Sequence, residues 1–287
     1  MQMSVGAPLG VFDSGLGGLT VVKALRVSLP QESIAYFGDT ARLPYGTKSP
    51  ATVYQFTRQC LRFLMSLRPK LLVVACNTAS ALALAELRGE FEVPIVGVLE
   101  PGAKAAVEVT REKKGGGGKR GGLIATEATI ASNAYPAAIR RLDPQVQVIG
   151  RACPLLVPMI EEGREPTDVI VGLVLREYLT PFLELDISTL ILGCTHYPLF
   201  ADAIAQTLGA GGGGVKLIDS AKQTALVVRE QLDTMNARST SSGAPPTRPP
   251  LTCYVTDQGQ RFERLASRFL GESVGQPVWV TPEMLEL

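Results

Sequence analysis

Ten short apolar runs, each followed by a stretch with helical spacing, limit this chain more than any other feature. The runs fall at 9–12, 34–37, 71–75, 93–98, 122–125, 146–149, 188–192, 215–218, 252–256 and 277–280. Leu71-Leu72-Val73-Val74-Ala75 is apolar without a break, as strands covered on both faces should be. The clearest helix signal opens at Ser49-Pro50, an N-cap followed by proline at the first helical position. Its apolar residues Val53, Phe56, Cys60, Phe63, Leu64 and Leu67 fall on one stripe. Strand then helix, repeated along the chain, predicts an α/β fold with parallel sheets and right-handed crossovers.

The chain has 287 residues, enough for one or two domains. Hydrophobic residues make up 46% and charged residues 19%, which excludes a mostly disordered chain. A net charge of +1 argues against a general nucleic-acid footprint. No apolar run approaches the roughly 18 residues of a membrane-spanning helix. The opening MQMSVGAPLGVFDSG has neither a basic nor an apolar leader segment, so no signal peptide is expected. The five cysteines, Cys60, Cys76, Cys153, Cys194 and Cys253, are odd in number and scattered, with no C-x₂-C spacing. They predict neither a disulfide framework nor a metal site, and free thiols fit a reducing cytoplasm.

Two glycine runs, Gly115–Gly118 and Gly211–Gly214, read as flexible loops, and 235–250 reads as a mobile Ser/Pro/Gly-rich excursion. These marks divide the chain into a first α/β domain, 1–101 with 215–287, and a second, 102–214, inserted into it. Two internal echoes suggest similarity between the halves. Val73-Val74-Ala75-Cys76-Asn77-Thr78 resembles Ile191-Leu192-Gly193-Cys194-Thr195-His196, and Phe12-Asp13-Ser14 resembles Ile218-Asp219-Ser220.

In open α/β sheets ligands sit beyond the carboxyl ends of the strands. Asp13, Cys76 and Cys194 each follow an apolar strand directly, and the segments behind the two cysteines, 77–88 and 197–208, read as helices. A thiol at a helix N-terminus favours the thiolate. Equally, a free cysteine is a common small core residue. For Cys60, on the helix stripe, and for Cys153 and Cys253, core is the better reading. For Cys76 and Cys194 the residues alone leave both readings open. His196, the single histidine, lies two residues beyond Cys194, which admits Cys-His nucleophilic catalysis without establishing its geometry. Gly15-Leu16-Gly17-Gly18 invites a dinucleotide reading, but G-x-G-x-x-G would need glycine where Thr20 stands. The glycines still admit an anion, carboxylate or phosphate, close to backbone N–H groups. By themselves Leu43-Pro44-Tyr45-Gly46 read as an ordinary turn, and Glu161-Glu162 as a solvated helix end.

Taken together, FDSGLGGLTV (12–21), YFGDTARLPYG (36–46), VVACNTASA (73–81), VLEPG (98–102), CPLLVPMIEEG (153–163), LILGCTHYPL (190–199) and LIDSA (217–221) resemble the glutamate racemases of the aspartate/glutamate racemase superfamily. The resemblance implies two similar α/β domains with mainly parallel sheets facing a central cleft. It makes Cys76 and Cys194 the two acid/base thiols, assisted by Asp13 and His196, with Glu161 supporting His196. It places Asp13, Ser14, Tyr45, Gly46, Asn77, Thr78, Thr195 and His196 around the amino acid. It implies no cofactor and no metal, a small-molecule substrate, no nucleic-acid or membrane partner, and a role in peptidoglycan synthesis, cell-wall biogenesis and cell shape. A homodimer is admissible. The chain departs from the family where a Gly-Thr pair is usual after the central strand: it has Ala125-Thr126, then Thr129.

The chemistry supports this reading. Inverting an α-carbon means removing a proton from one face and delivering one to the other, and two opposed acid/base groups do this economically. Thiols, with a reference pKa of about 8.5, suit both roles. Three alternatives remain at this point: another racemase of the superfamily acting on aspartate, a cysteine-nucleophile or thiol-disulfide enzyme, and a module that binds an amino acid unchanged.

Overall fold

The computed structural model describes residues 4–112, 119–209, 214–239, 250–257 and 262–286. The chain runs β1 (Leu9–Asp13), α1 (Leu19–Ser28), β2 (Ile34–Gly38), α2 (Pro50–Ser66), β3 (Leu71–Val74), α3 (Asn77–Leu82), α4 (Leu84–Leu87), β4 (Ile95–Gly97) and α5 (Leu99–Glu112). It continues through β5 (Arg120–Ala125), α6 (Glu127–Ala131), α7 (Ala134–Leu142), β6 (Gln147–Ala152), α8 (Leu156–Glu161), α9 (Val169–Glu184), β7 (Thr189–Gly193) and α10 (Ala201–Gly209). It ends with β8 (Lys216–Asp219), α11 (Ser220–Thr234), β9 (Leu251–Val255), α12 (Phe262–Leu270) and β10 (Val278–Trp279). Each of the ten apolar runs carries one strand, as the alternation predicts.

The chain packs as two compact units, Met1–Val98 with Ala221–Leu287, and Leu99–Ser220. The first holds a six-stranded sheet in the order β10-β9-β2-β1-β3-β4, every pair parallel. The chain leaves β1 on one side for β2 and returns on the other for β3. The carboxyl ends of β1 and β3 therefore flank a switch point, where a crevice opens in sheets of this kind. The second unit repeats the device: its four-stranded sheet runs β6-β5-β7-β8, again all parallel, with the switch between β5 and β7. The cysteine echo thus lies on corresponding strands, β3 and β7. The second echo does not, because β8 is an edge strand whose place in the order matches β4 rather than β1.

The helix signal at Ser49 holds: its hydroxyl accepts from the Thr52 N–H at 3.3 Å. Val53, Cys60, Phe63 and Leu64 are buried in a core with Phe12, Phe37 and Val74, while Phe56 and Leu67 are half-buried. Phe56 carries the Arg42 guanidinium, 4.2 Å from its ring centre.

The helix expected directly behind Cys194 is displaced. Tyr197–Phe200 forms a 3₁₀ turn, closed by Tyr197 N–H to Cys194 O and Leu199 N–H to His196 O, before α10 begins. Pro198 has no N–H to give a longer helical bond there. Two glycines fix the first strand-to-helix turn. A side chain at Gly18 would collide with Asp13, and one at Gly38 with the backbone oxygen of Gly15.

The first glycine run and most of the second, with 240–249 of the excursion, lie outside the described residues. The beginning of the excursion is anchored rather than mobile. Lys70 Nζ donates to Ala237 O at 2.8 Å, Val5 O at 2.7 Å and Ser239 Oγ at 3.1 Å, and pairs with Glu32 at 2.6 Å. Both side chains are essentially fully buried. Removing one partner strands the other charge, so Lys70→Met is expected to cost about 3–5 kcal/mol. Glu32→Gln/Lys70→Met should recover part of that loss, as read from urea midpoints.

Candidate active site

In the first unit the site begins at the end of β1. Asp13 is buried, and its Oδ2 accepts the Gly15 N–H at 2.9 Å, which draws the glycine loop around the carboxylate. Tyr36 holds the same loop from the neighbouring strand, its hydroxyl donating to Gly15 O at 2.9 Å. Cys76 follows β3 and is the N-cap of α3. Its sulfur accepts the Ala79 N–H at 3.4 Å and donates to Ser14 Oγ at 3.4 Å. β1 and β3 are adjacent, so Asp13 and Ser14 come to the same end of the sheet as Cys76, Asn77 and Thr78.

Tyr45 and Gly46 sit buried in a 3₁₀ turn, not in an open loop. The Tyr45 hydroxyl donates to Asp39 Oδ2. Asp39 also accepts Arg42 Nε on both oxygens, at 2.9 and 2.8 Å, and Thr256 Oγ1 at 2.9 Å. Burial, the Cys60 sulfur and the Asp39 carboxylate push the Tyr45 phenol far up, so it stays a neutral donor. Asp39, Arg42 and Tyr36 were not singled out from the sequence. The only local signal was the three-residue spacing of Asp39 and Arg42, since Thr256 joins them from the far end of the chain.

In the second unit Cys194 follows β7. Its sulfur lies 3.7 Å from His196 Nδ1, and Thr195 Oγ1 lies 3.5 Å from the same nitrogen. His196 Nε2 donates to Glu161 Oε1, at the end of α8, at 2.9 Å. Burial lowers the imidazole pKa, but the hydrogen bonds to Cys194 and Glu161 outweigh it and raise it to about 10. His196 is therefore an imidazolium at neutral pH, a fixed cation beside the Cys194 sulfur. Thr126 caps α6, its Oγ1 accepting the Thr129 N–H at 3.4 Å and lying 3.0 Å from Thr129 Oγ1. Ala125, the last residue of β5, pairs with Gly193, so these threonines follow the end of the strand next to the one that leads to Cys194.

The other thiols differ. Burial pushes Cys153 and Cys253 up to about 12 and Cys60 well above its ordinary range, which leaves all three protonated and inert. Among the described residues no three His, Cys, Asp or Glu side chains form a metal-binding group, and no helix is long and apolar enough to cross a membrane.

Each unit thus carries a strand-end thiol: Cys76 at the same end of its sheet as Asp13, and Cys194 beside His196. Residues 19–227 match the model of the Asp/Glu/hydantoin racemase family. A glutamate racemase of Geobacter metallireducens is 46% identical over 280 residues, 96% of this chain and 97% of its own. The crystal structure of glutamate racemase from Francisella tularensis in complex with D-glutamate is 38% identical, with a TM-score of 0.86 over 96% of this chain and 98% of that one. That from Thermus thermophilus, in complex with β-chloro-D-alanine, is 42% identical with a TM-score of 0.84 over 98% and 99%. The chain belongs to the Asp/Glu/hydantoin racemase family, where its likeness is to the glutamate racemases.

Proposed function

We propose that this isomerase interconverts L- and D-glutamate without a cofactor, using Cys76 and Cys194 as its two proton carriers. The observation that carries the reading is the pair of corresponding strand-end thiols, one at the switch point of each sheet. Each has an ionisable assistant: Asp13, at the same end of the sheet as the first, and His196 with Glu161 beside the second.

The proposed step balances simply. One cysteine, as thiolate, takes the α-proton and becomes a thiol, and the electron pair stays on the α-carbon. The other cysteine, as thiol, delivers its proton to the opposite face and becomes the thiolate. The enzyme is left ready for the reverse reaction. The imidazolium of His196 stands beside the Cys194 sulfur, and the Ala79 N–H at the start of α3 points at that of Cys76. Asn77, Thr78, Thr195 and the glycine loop after Asp13 supply fixed donors for the substrate carboxylates and the developing carbanion. Glu161 holds the imidazole ring and its charge. Tyr45 and Gly46, clamped through Asp39, complete the binding surface. D-Glutamate made this way would supply peptidoglycan synthesis in the cytoplasm.

The reading is tested with a panel of amino acids, following optical rotation after dialysis against a chelator. Glutamate should lose its rotation at an undiminished rate. Aspartate lacks one methylene, so its carboxylate cannot reach the same donors. A methylene mismatch is worth about 10–200-fold in kcat/KM, and aspartate should fall behind by at least that. Aspartate turning over as fast as glutamate would favour the rival racemase reading, and bound but unchanged glutamate the binding-module reading.

A further inference from the structure

The helix that carries Glu161 is too short to place that carboxylate by itself. α8 has six residues, Leu156–Glu161, well below the roughly 12 at which an isolated helix is even marginal. Its position is set by what holds residues 153–155 just before it. The Cys153 N–H donates to Ala125 O, at the end of β5, at 2.9 Å. The Leu155 N–H donates to the hydroxyl of Tyr178, on α9, at 3.4 Å. The third hold comes from Tyr197, whose hydroxyl donates to Cys153 O at 3.0 Å.

Tyr197 follows His196 directly, and its N–H donates to Cys194 O at 3.2 Å, closing the turn on which Cys194, Thr195 and His196 stand. Its backbone therefore belongs to the turn of the imidazole, while its side chain grips the entry to the helix of the carboxylate. Packing alone does not call for a hydroxyl here. Tyr197 is fully buried, and phenylalanine would fill the space without a polar atom to satisfy. Cys153 O already accepts the Leu156 N–H at 3.3 Å, so the carbonyl has a partner without the phenol. We infer that Tyr197 is a positioning residue: by tying the Cys194–His196 turn to the entry of α8, it holds Glu161 Oε1 2.9 Å from His196 Nε2. Any effect on rate rests on the racemase mechanism proposed above, whereas the tie itself is read without reference to the reaction.

The test uses the fact that His196 is the only histidine in the chain, so its ring gives a single set of NMR signals to follow against pH. The ionisable groups facing the imidazole are Cys194 and Glu161, and those facing Tyr197 are Cys194, Cys153 and Tyr178. Burial pushes the Tyr197 phenol well above its ordinary range, so Tyr197→Phe removes no charge, and a change in the ring's titration reports geometry. The wild-type ring should titrate at about 10. In Tyr197→Phe the midpoint should fall by about one unit, a tenfold loss of proton affinity. Placed in Glu161→Gln, the same substitution should add no further fall, because it acts through the carboxylate. In the racemisation assay Tyr197→Phe should lower kcat by about tenfold with KM little changed. An unchanged midpoint in Tyr197→Phe, or an equal fall with and without Glu161, would overturn the positioning role whatever the rate does. The expected fall in midpoint with an unchanged kcat would uphold the tie and count instead against the use of His196 in the proposed reaction.

Discussion

Cys76→Ala and Cys194→Ala should each cut racemisation by at least about 10²–10⁴-fold, the worth of one general acid–base group. The loss should be the same starting from L- or from D-glutamate. Enantiomers have equal free energy, so kcat/KM must fall equally in both directions, whichever thiol is removed. The double variant should be little worse than either single one, because neither thiol can complete an inversion alone. Cys60→Ala is the control. Cys60 is fully buried among α2 and the first-unit core, with its thiol pushed well above its ordinary pKa. Its loss should cost about 1–3 kcal/mol of stability and leave turnover of the folded enzyme nearly intact. The measurement is initial rate by polarimetry on variants checked for folding. Near-normal rates in Cys76→Ala would mean that Cys76 is no obligatory proton carrier.

The second large effect concerns His196. His196→Asn removes the cation beside Cys194 and should lower kcat by about 10²-fold with little change in KM, since charge placement matters most as the proton moves. Its pH dependence separates this role from a merely structural one. With the imidazole raised to about 10, the wild-type rate should hold through neutral pH and fall as pH rises through that value. Glu161→Gln removes one of the interactions that raise it. The imidazole then loses its proton at lower pH, and the alkaline limb moves down with it. The stability linked to the His196–Glu161 pair follows the same sign. It is fully present below the unfolded histidine value of about 6.5, and it is lost as pH rises through about 10. An alkaline limb that stays in place in Glu161→Gln would remove the carboxylate from the account.

The strands were legible because each is a short, mainly apolar run bounded by helical spacing, unbroken in cases such as Leu71–Ala75, as a parallel sheet covered on both faces demands. The cysteine echo was legible for the same reason, since both copies end a buried strand. The Asp13–Ser14 echo misled, because a three-residue match carries no information on strand order. Pro198 marked a break that simple periodicity passed over. Glu161 illustrates a different limit. Read locally it is a solvated helix end, and only the family resemblance gave it a role, because its partner lies 35 residues away. Asp39 was hidden in the same way: Thr256 reaches it across 217 residues. Contacts of that range depend on which strands lie side by side, and the order β9-β2-β1 is not written in any one segment.

The central claim is that two different thiols serve the two faces of one α-carbon, and isotope labelling in D₂O addresses it most directly. Each thiol carries a single hydrogen. A thiolate that takes the α-proton can return it only to the face it came from, so the hydrogen on the inverted product must come from the other thiol, which exchanges with solvent. Starting from unlabelled L-glutamate at low conversion, the account expects D-glutamate with deuterium at the α-carbon and residual L-glutamate still carrying protium. The reverse experiment from D-glutamate should give the mirror result. D-glutamate that retains the original proton, or substrate and product acquiring deuterium at the same rate, would mean that one group serves both faces, and would contradict the account.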